Sequence, residues 1–278
     1  MSALLLSASV TPLKDGGAAL DEDAIGPLVE FLQAGGADGV FCCGTTGEGV
    51  QLTTDERRRA VVRFREACTG TLIVHCGAQT TAETVALAGH SAASGADAAA
   101  VIPPPYYQLD DDALVEHFAA AANACAPLPF YLYAFTARSG YPLPVAVVER
   151  VRERCDNIAG LKVSESPFSA VEPYLGLGLS VFVGSEPLIP QALAAGATGA
   201  VSGLSSAFPD QVAAVVRDPS EEGGAALAEL RGRMGTADFI ANLKRELVRL
   251  GLPVRPDMRA PLRATGRAPR TAGRWRAA

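Results

Sequence analysis

Three features of this 278-residue sequence predict a (β/α)8 TIM barrel with a C-terminal helical extension. First, eight short apolar runs begin near Leu4, Gly39, Leu72, Ala98, Pro129, Ile158, Ser180 and Gly199. Second, the runs are continuous, as in Ala98-Ala99-Ala100-Val101-Ile102, which is how parallel strands buried on both faces read. Third, a helical segment separates each run from the next, and the units are of similar length. A doubly wound sheet is the competing architecture. The absence of a GxGxxG turn after the first run counts against it.

The connecting elements carry their own signals. Leu28, Phe31 and Leu32 share one face of the first helix, and Val61, Val62 and Phe64 lie within the second. Thr53 with Glu56 and Thr80 with Glu83 have the capping-box spacing that starts a helix. Asp110-Asp111-Asp112 places negative charge where a helix dipole favours it. Pro144, Pro167, Pro187 and Pro209 sit near further helix starts, where a missing N–H costs little. Segments 221–234 and 239–250 read as extra helices. The expected division is a barrel over 1–218, a helical extension over 219–263 and a flexible basic tail over 264–278.

Composition narrows the function classes. The chain is 49% hydrophobic, yet no apolar stretch approaches the roughly 20 residues a membrane helix needs. Met1-Ser2-Ala3-Leu4-Leu5-Leu6 lacks the basic start of a signal peptide, so a soluble cytoplasmic protein without a membrane partner is expected. The net charge of -6 divides unevenly: residues 251–278 carry +6 and residues 1–250 carry −12. An acidic body argues against a nucleic-acid partner. Cysteines 42, 43, 68, 76, 125 and 155 show no CxxC spacing, and His75, His90 and His117 are scattered. Reduced, buried thiols and no metal site are expected.

Barrel chemistry lies where strands end, on the C-terminal face. Lys162 closes the sixth run between Leu161 and Val163 and is one of three lysines, with Lys14 and Lys244. Desolvation at a strand end disfavours an ammonium and favours the nucleophilic amine. The alternative is a lysine that snorkels to the barrel rim or pairs with Glu165. Tyr133 lies 29 residues earlier, one βα unit away, so the two side chains should face the same cavity at similar height. A phenol beside an amine suits the proton transfers of carbinolamine formation and dehydration. After the second run, Gly44-Thr45-Thr46-Gly47-Glu48 offers hydroxyls and backbone N–H groups that suit a small carboxylate or a phosphate.

Together with Pro105-Tyr106-Tyr107, Arg138, Gly140, Gly160-Leu161-Lys162, Gly184 and Gly199-Ala200-Val201-Ser202, these residues resemble the dihydrodipicolinate synthase / N-acetylneuraminate lyase family of Schiff-base aldolases. The resemblance spans residues 4–265. It implies that Lys162 forms an imine with pyruvate or another 2-keto acid and that Tyr133 shuttles protons. Thr45 and Thr46 would bind the keto-acid carboxylate, with Thr46 relaying protons to Tyr133. Gly184 and Val201 would line the substrate site. It further implies that no cofactor is needed beyond the covalent imine. The chain would form a homo-oligomer, a dimer or tetramer in which Tyr107 crosses to a neighbouring site.

Arg138 resembles the arginine of the synthase branch, which holds the carboxylate of an aldehyde partner such as aspartate semialdehyde. Against that, Ala134 and Thr136 replace the asparagine and proline usual in the family, and Pro103-Pro104-Pro105 resembles the sugar-acid aldolases and dehydratases. Three readings stand: a 4-hydroxy-tetrahydrodipicolinate synthase type, a 2-keto-3-deoxy sugar acid or sialic acid-type aldolase or dehydratase, and a barrel that binds a keto acid without turning it over. A phosphate-binding barrel ranks last, because no Lys/Arg pair follows strands seven and eight.

Overall fold

The computed structural model describes residues 2–263. The expected tail over 264–278, with Trp275, lies outside the described residues. The strands are β1 (Leu4–Ala8), β2 (Leu13–Lys14), β3 (Ala19–Leu20), β4 (Gly39–Cys42), β5 (Thr71–His75), β6 (Ala98–Val101), β7 (Phe130–Ala134), β8 (Ile158–Val163), β9 (Ser180–Val183) and β10 (Gly199–Ser202). Eight of these form a closed parallel barrel in the order β1-β10-β9-β8-β7-β6-β5-β4, and β1 closes it against β4. All eight start at or within one residue of the expected positions. The antiparallel pair β2/β3 was not foreseen, because two-residue strands carry no periodicity.

The helices are α1 (Ile25–Ala34), α2 (Thr54–Ala67), α3 (Thr81–Ala93), α4 (Asp111–Cys125), α5 (Thr136–Ser139), α6 (Val145–Arg154), α7 (Glu172–Leu175), α8 (Ile189–Ala194), α9 (Pro209–Arg217), α10 (Glu221–Met234) and α11 (Phe239–Arg249). Among the described residues none is long and apolar enough to cross a membrane. Thr53 and Glu56 form the full capping box at the start of α2. At α3 only half of it forms. Thr80 accepts from the Glu83 N–H, but the Glu83 carboxylate turns away to accept from Thr54 Oγ1 at 2.6 Å. Asp110 caps α4 by accepting from the Ala113 N–H.

Strand alternation sorts the core into two bodies. Leu6, Ala8, Phe41, Ile73, Ala98, Ala100, Phe182 and Val201 fill the barrel interior. Their strand neighbours, such as Leu5, Val40 and Leu72, pack outward against the helices. At the N-terminal face a repeated device ties adjacent strands: Asp38, Asp97 and Thr198 precede β4, β6 and β10 and accept from the N–H of Leu5, Leu72 and Val181. All six cysteines are free and buried.

Interior room is tightest where glycine stands. A Cβ on Gly160 would lie 2.0 Å from the Ser180 carbonyl oxygen and 2.8 Å from the Tyr131 ring. Gly160→Ala is therefore expected to lower the unfolding free energy by about 2 kcal/mol or more in a urea titration. An unchanged midpoint would show that β8 and β9 can part without cost.

Candidate active site

Tyr133 on β7 and Lys162 on β8 are direct register partners, so both side chains leave the sheet at one height and on the inner face. Lys162 is 5% exposed. Its Nζ stands 4.1 Å from the centre of the Phe41 ring and 4.2 Å from that of Tyr133. Two aromatic walls thus fix the direction of the amine. Among the described residues Lys162 has no ion-pair partner, and Glu165 does not approach it. The Glu165 carboxylate instead accepts from the Thr136 backbone N–H at 2.7 Å and from its hydroxyl at 3.0 Å. A proline at 136 could not make the first of these bonds. The departure at Thr136 therefore comes with its own anchor for α5.

The loop after β4 carries the hydroxyls. Cys43 (φ 55°) and Glu48 (φ 54°) both adopt the left-handed conformation, which turns the chain sharply at each end of the Gly-Thr-Thr-Gly segment. Thr45 Oγ1 lies 3.4 Å from Tyr133 Oη. A Cβ on Gly203 would lie 3.1 Å from Thr46 Oγ1 and 3.0 Å from the Phe239 ring of α11, so both side chains approach that glycine. The threonine hydroxyl within reach of the phenol is that of Thr45, whereas the sequence reading gives the relay to Thr46.

Gly184 is needed for space, since a Cβ there would sit 2.0 Å from Ser164 Oγ. Val201 is buried in the barrel interior. Arg138 lies on α5, exposed, its guanidinium 5.7 Å from the Phe135 ring centre, and among the described residues it has no carboxylate partner. Phe135 in turn packs against Tyr133, with ring centres 6.0 Å apart. Tyr107 is 72% exposed and meets Tyr106 edge-to-face with ring centres 4.8 Å apart, so within one chain it does not join the Lys162 group. Among the described residues no three His, Cys, Asp or Glu side chains converge as metal ligands.

Two walls of the site escaped sequence reasoning. Phe41 sits in an apolar run, where only the inward parity of Phe41 in β4 could have flagged it. His75 is the last residue of β5, and its ring packs edge-on against Tyr133 with centres 5.9 Å apart. The carbonyl of Cys43 can only accept, so His75 Nδ1 is the donor across the 3.2 Å contact, and Nε2 is left as a bare acceptor. Behind it Arg57, buried, donates to the carbonyls of His75 and Gly77. Burial, with the charges of Arg57 and Lys162 nearby, pushes His75 down to about 3.

With this geometry in view, the comparisons with known proteins decide the family. The model of the dihydrodipicolinate synthetase family matches residues 1–272. The chain belongs to this family. It is 33% identical over 286 residues to the 4-hydroxy-tetrahydrodipicolinate synthase of Sorangium cellulosum, covering 97% of this chain and 94% of that one. The dihydrodipicolinate synthase structure from Aquifex aeolicus superposes with a TM-score of 0.87 at 27% identity, covering 96% of this chain and 93% of the other. The N-acetylneuraminate lyase of Proteus mirabilis superposes with a TM-score of 0.85 at 25% identity, covering 95% and 93%. As a dihydrodipicolinate synthetase family member, the protein is a class I lyase or synthase that works through a lysine Schiff base.

A stability consequence follows from the buried histidines. Burial also pushes His117 down to about 4. Both are therefore neutral in the folded protein while the unfolded chain takes up protons below the ordinary value of 6.5. The stability they support is present above that pH and is lost as pH falls toward 4, by about 1.4 kcal/mol per pH unit per histidine. Urea unfolding between about pH 7 and about pH 4 should show this slope. His75→Gln and His117→Gln should each flatten it by about one proton.

Proposed function

We propose that the protein condenses pyruvate with a carboxylate-bearing aldehyde through an imine on Lys162. The observation that carries this reading is the buried Lys162 amine, enclosed by Phe41 and Tyr133 with the Thr45 hydroxyl on the far side of the phenol. The amine adds to the ketone carbon to give a carbinolamine. Loss of the former ketone oxygen as water leaves the protonated imine. That cation accepts the electron pair released when a proton leaves C3, and the resulting enamine carbon attacks the aldehyde. Tyr133 Oη is the group placed to carry protons to and from the carbinolamine oxygen, with Thr45 as its hydrogen-bond partner. Thr45 and Thr46 serve as donors to the keto-acid carboxylate, and Gly184 and Val201 shape the space beside the imine.

The Arg138 guanidinium, without a carboxylate partner among the described residues, supports an aldehyde partner that itself carries a carboxylate, because a planar fork matches that group bidentately. Exposed Tyr107 is the residue through which a second copy of the chain would complete the proton relay, so the active form is read as a homodimer or homotetramer. One observation favours a second reading, an aldolase or dehydratase of 2-keto-3-deoxy sugar acids. The Thr136–Glu165 lock gives α5, and hence Arg138, a support that differs from the family's usual turn.

Borohydride reduction in the presence of pyruvate, followed by intact mass, should add one reduced pyruvate to the wild type and none to Lys162→Ala. Absence of the adduct from the wild type would leave only a non-covalent keto-acid-binding barrel. Arg138→Leu is expected to reduce turnover of pyruvate plus aspartate semialdehyde by at least about tenfold, the worth of one lost charge-assisted pair. Release of pyruvate from 2-keto-3-deoxygluconate should change far less. Equal losses would remove Arg138 from aldehyde recognition.

A further inference from the structure

The Gly-Thr-Thr-Gly-Glu segment ends on Glu48, whose carboxylate plays no part in the chemistry above. Glu48 and Lys244 of α11 form an ion pair at 2.5 Å, and both side chains are 0% exposed. The second Glu48 oxygen accepts from the Arg259 backbone N–H at 2.8 Å, and Lys244 Nζ also donates to the Asp257 carbonyl at 2.6 Å. The pair therefore joins three segments far apart in sequence: the threonine loop, α11 and the stretch 252–259. That stretch is anchored separately by Arg259 to Glu56 at 2.6 Å and by Asp257, which accepts from the Gly16 N–H at 3.1 Å.

A fully buried ion pair is a poor source of stability, since desolvation offsets most of its attraction and apolar replacements are often neutral or better. What it does supply is geometry. Glu48 is in the left-handed region, and the next residue has no room to move: a Cβ on Gly49 would sit 1.7 Å from the Cys43 carbonyl oxygen. The loop is also held by Thr11 Oγ1, which donates to Gly47 O at 2.7 Å. Shifting the Glu48 carboxylate therefore shifts the short segment containing Thr45 and Thr46. The same extension brings the Phe239 ring to Gly203, where a Cβ would lie 3.0 Å from the ring and 3.1 Å from Thr46 Oγ1.

We propose that Glu48 and Lys244 are positioning residues for keto-acid binding, holding the Thr45–Thr46 loop in register with Tyr133 and Lys162. The helical extension is then part of the active site and not a peripheral appendage. This rests on the imine reading given above.

The test is pyruvate-dependent borohydride trapping, read as the pyruvate concentration giving half-maximal adduct and as the adduct fraction at saturation. Lys244→Met leaves Glu48 buried and unpaired, so the double variant Glu48→Gln with Lys244→Met is made beside it to remove the orphan charge. A folded double variant, judged by circular dichroism and melting, should need at least about tenfold more pyruvate for half-saturation while reaching the wild-type plateau, the tenfold corresponding to one displaced hydrogen-bonding contact. Glu48→Gln alone, which keeps side-chain volume and one acceptor, should show a smaller rise, and Lys244→Arg should restore most of the affinity. Arg249→Ala, on the same helix but ion-paired to Glu246, should leave trapping unchanged. Half-saturation at the wild-type concentration in folded Glu48→Gln and in the double variant would overturn the positioning role. A wild type that takes up no pyruvate at all would instead overturn the imine reading.

Discussion

The parallel register of β7 and β8 is the constraint on which the site depends. Tyr133 and Lys162 are paired across a ladder that belongs to a closed barrel, so neither can slide without breaking the pairing of all eight strands. Closure leaves no free edge at which register could drift. The small residues inside, Ala98, Ala100 and Gly160 among them, let the larger Phe41, Tyr131 and Phe182 fill the interior. The amine then stands at a fixed height between Phe41 and Tyr133. The placement of the amine beside the phenol is a by-product of how the barrel closes.

An acidic body that takes an anionic substrate presents an electrostatic problem, and the structure indicates how it is met. Surface carboxylates farther than about 8 Å are largely screened at physiological salt, whereas groups inside a desolvated cavity are not. Near the site the Glu165 carboxylate is held by the Thr136 N–H and hydroxyl. Among the described residues Lys162, Arg57 and Arg138 have no carboxylate partners, and Glu48 and Glu186 are each matched by a cation. His75, held neutral, adds no competing positive charge beneath the amine. The local field is therefore decided by a handful of groups, and the net charge of -6 describes the outside of the molecule.

Much of the site could be read before the fold was known, for identifiable reasons. Lys162 and Tyr133 could be found because apolar runs expose a polar residue at their ends, and one βα unit between them predicts adjacency. The strand starts were legible because runs buried on both faces are continuous. Which of Thr45 and Thr46 stands beside the phenol was not, because two adjacent threonines give no local sign of which one meets it. Phe41 and His75 were hidden inside strands, where only inward parity distinguishes a cavity wall from core. Glu165, three residues after Lys162, anchors Thr136 and not the lysine, since the loop after β8 carries it toward α5.

The sequence by itself determined the barrel, its C-terminal helices and the adjacency of Tyr133 and Lys162, because those depend on local pattern and on spacing in units of one strand and one helix. Only the tertiary structure decided which threonine meets the phenol, that a buried histidine backs the site, and that Lys244 reaches Glu48 from 196 residues away. The physical reason is range. Periodicity and capping act over a few residues, whereas a buried charge must find its partner wherever the closed fold delivers one, and no local pattern encodes that distance.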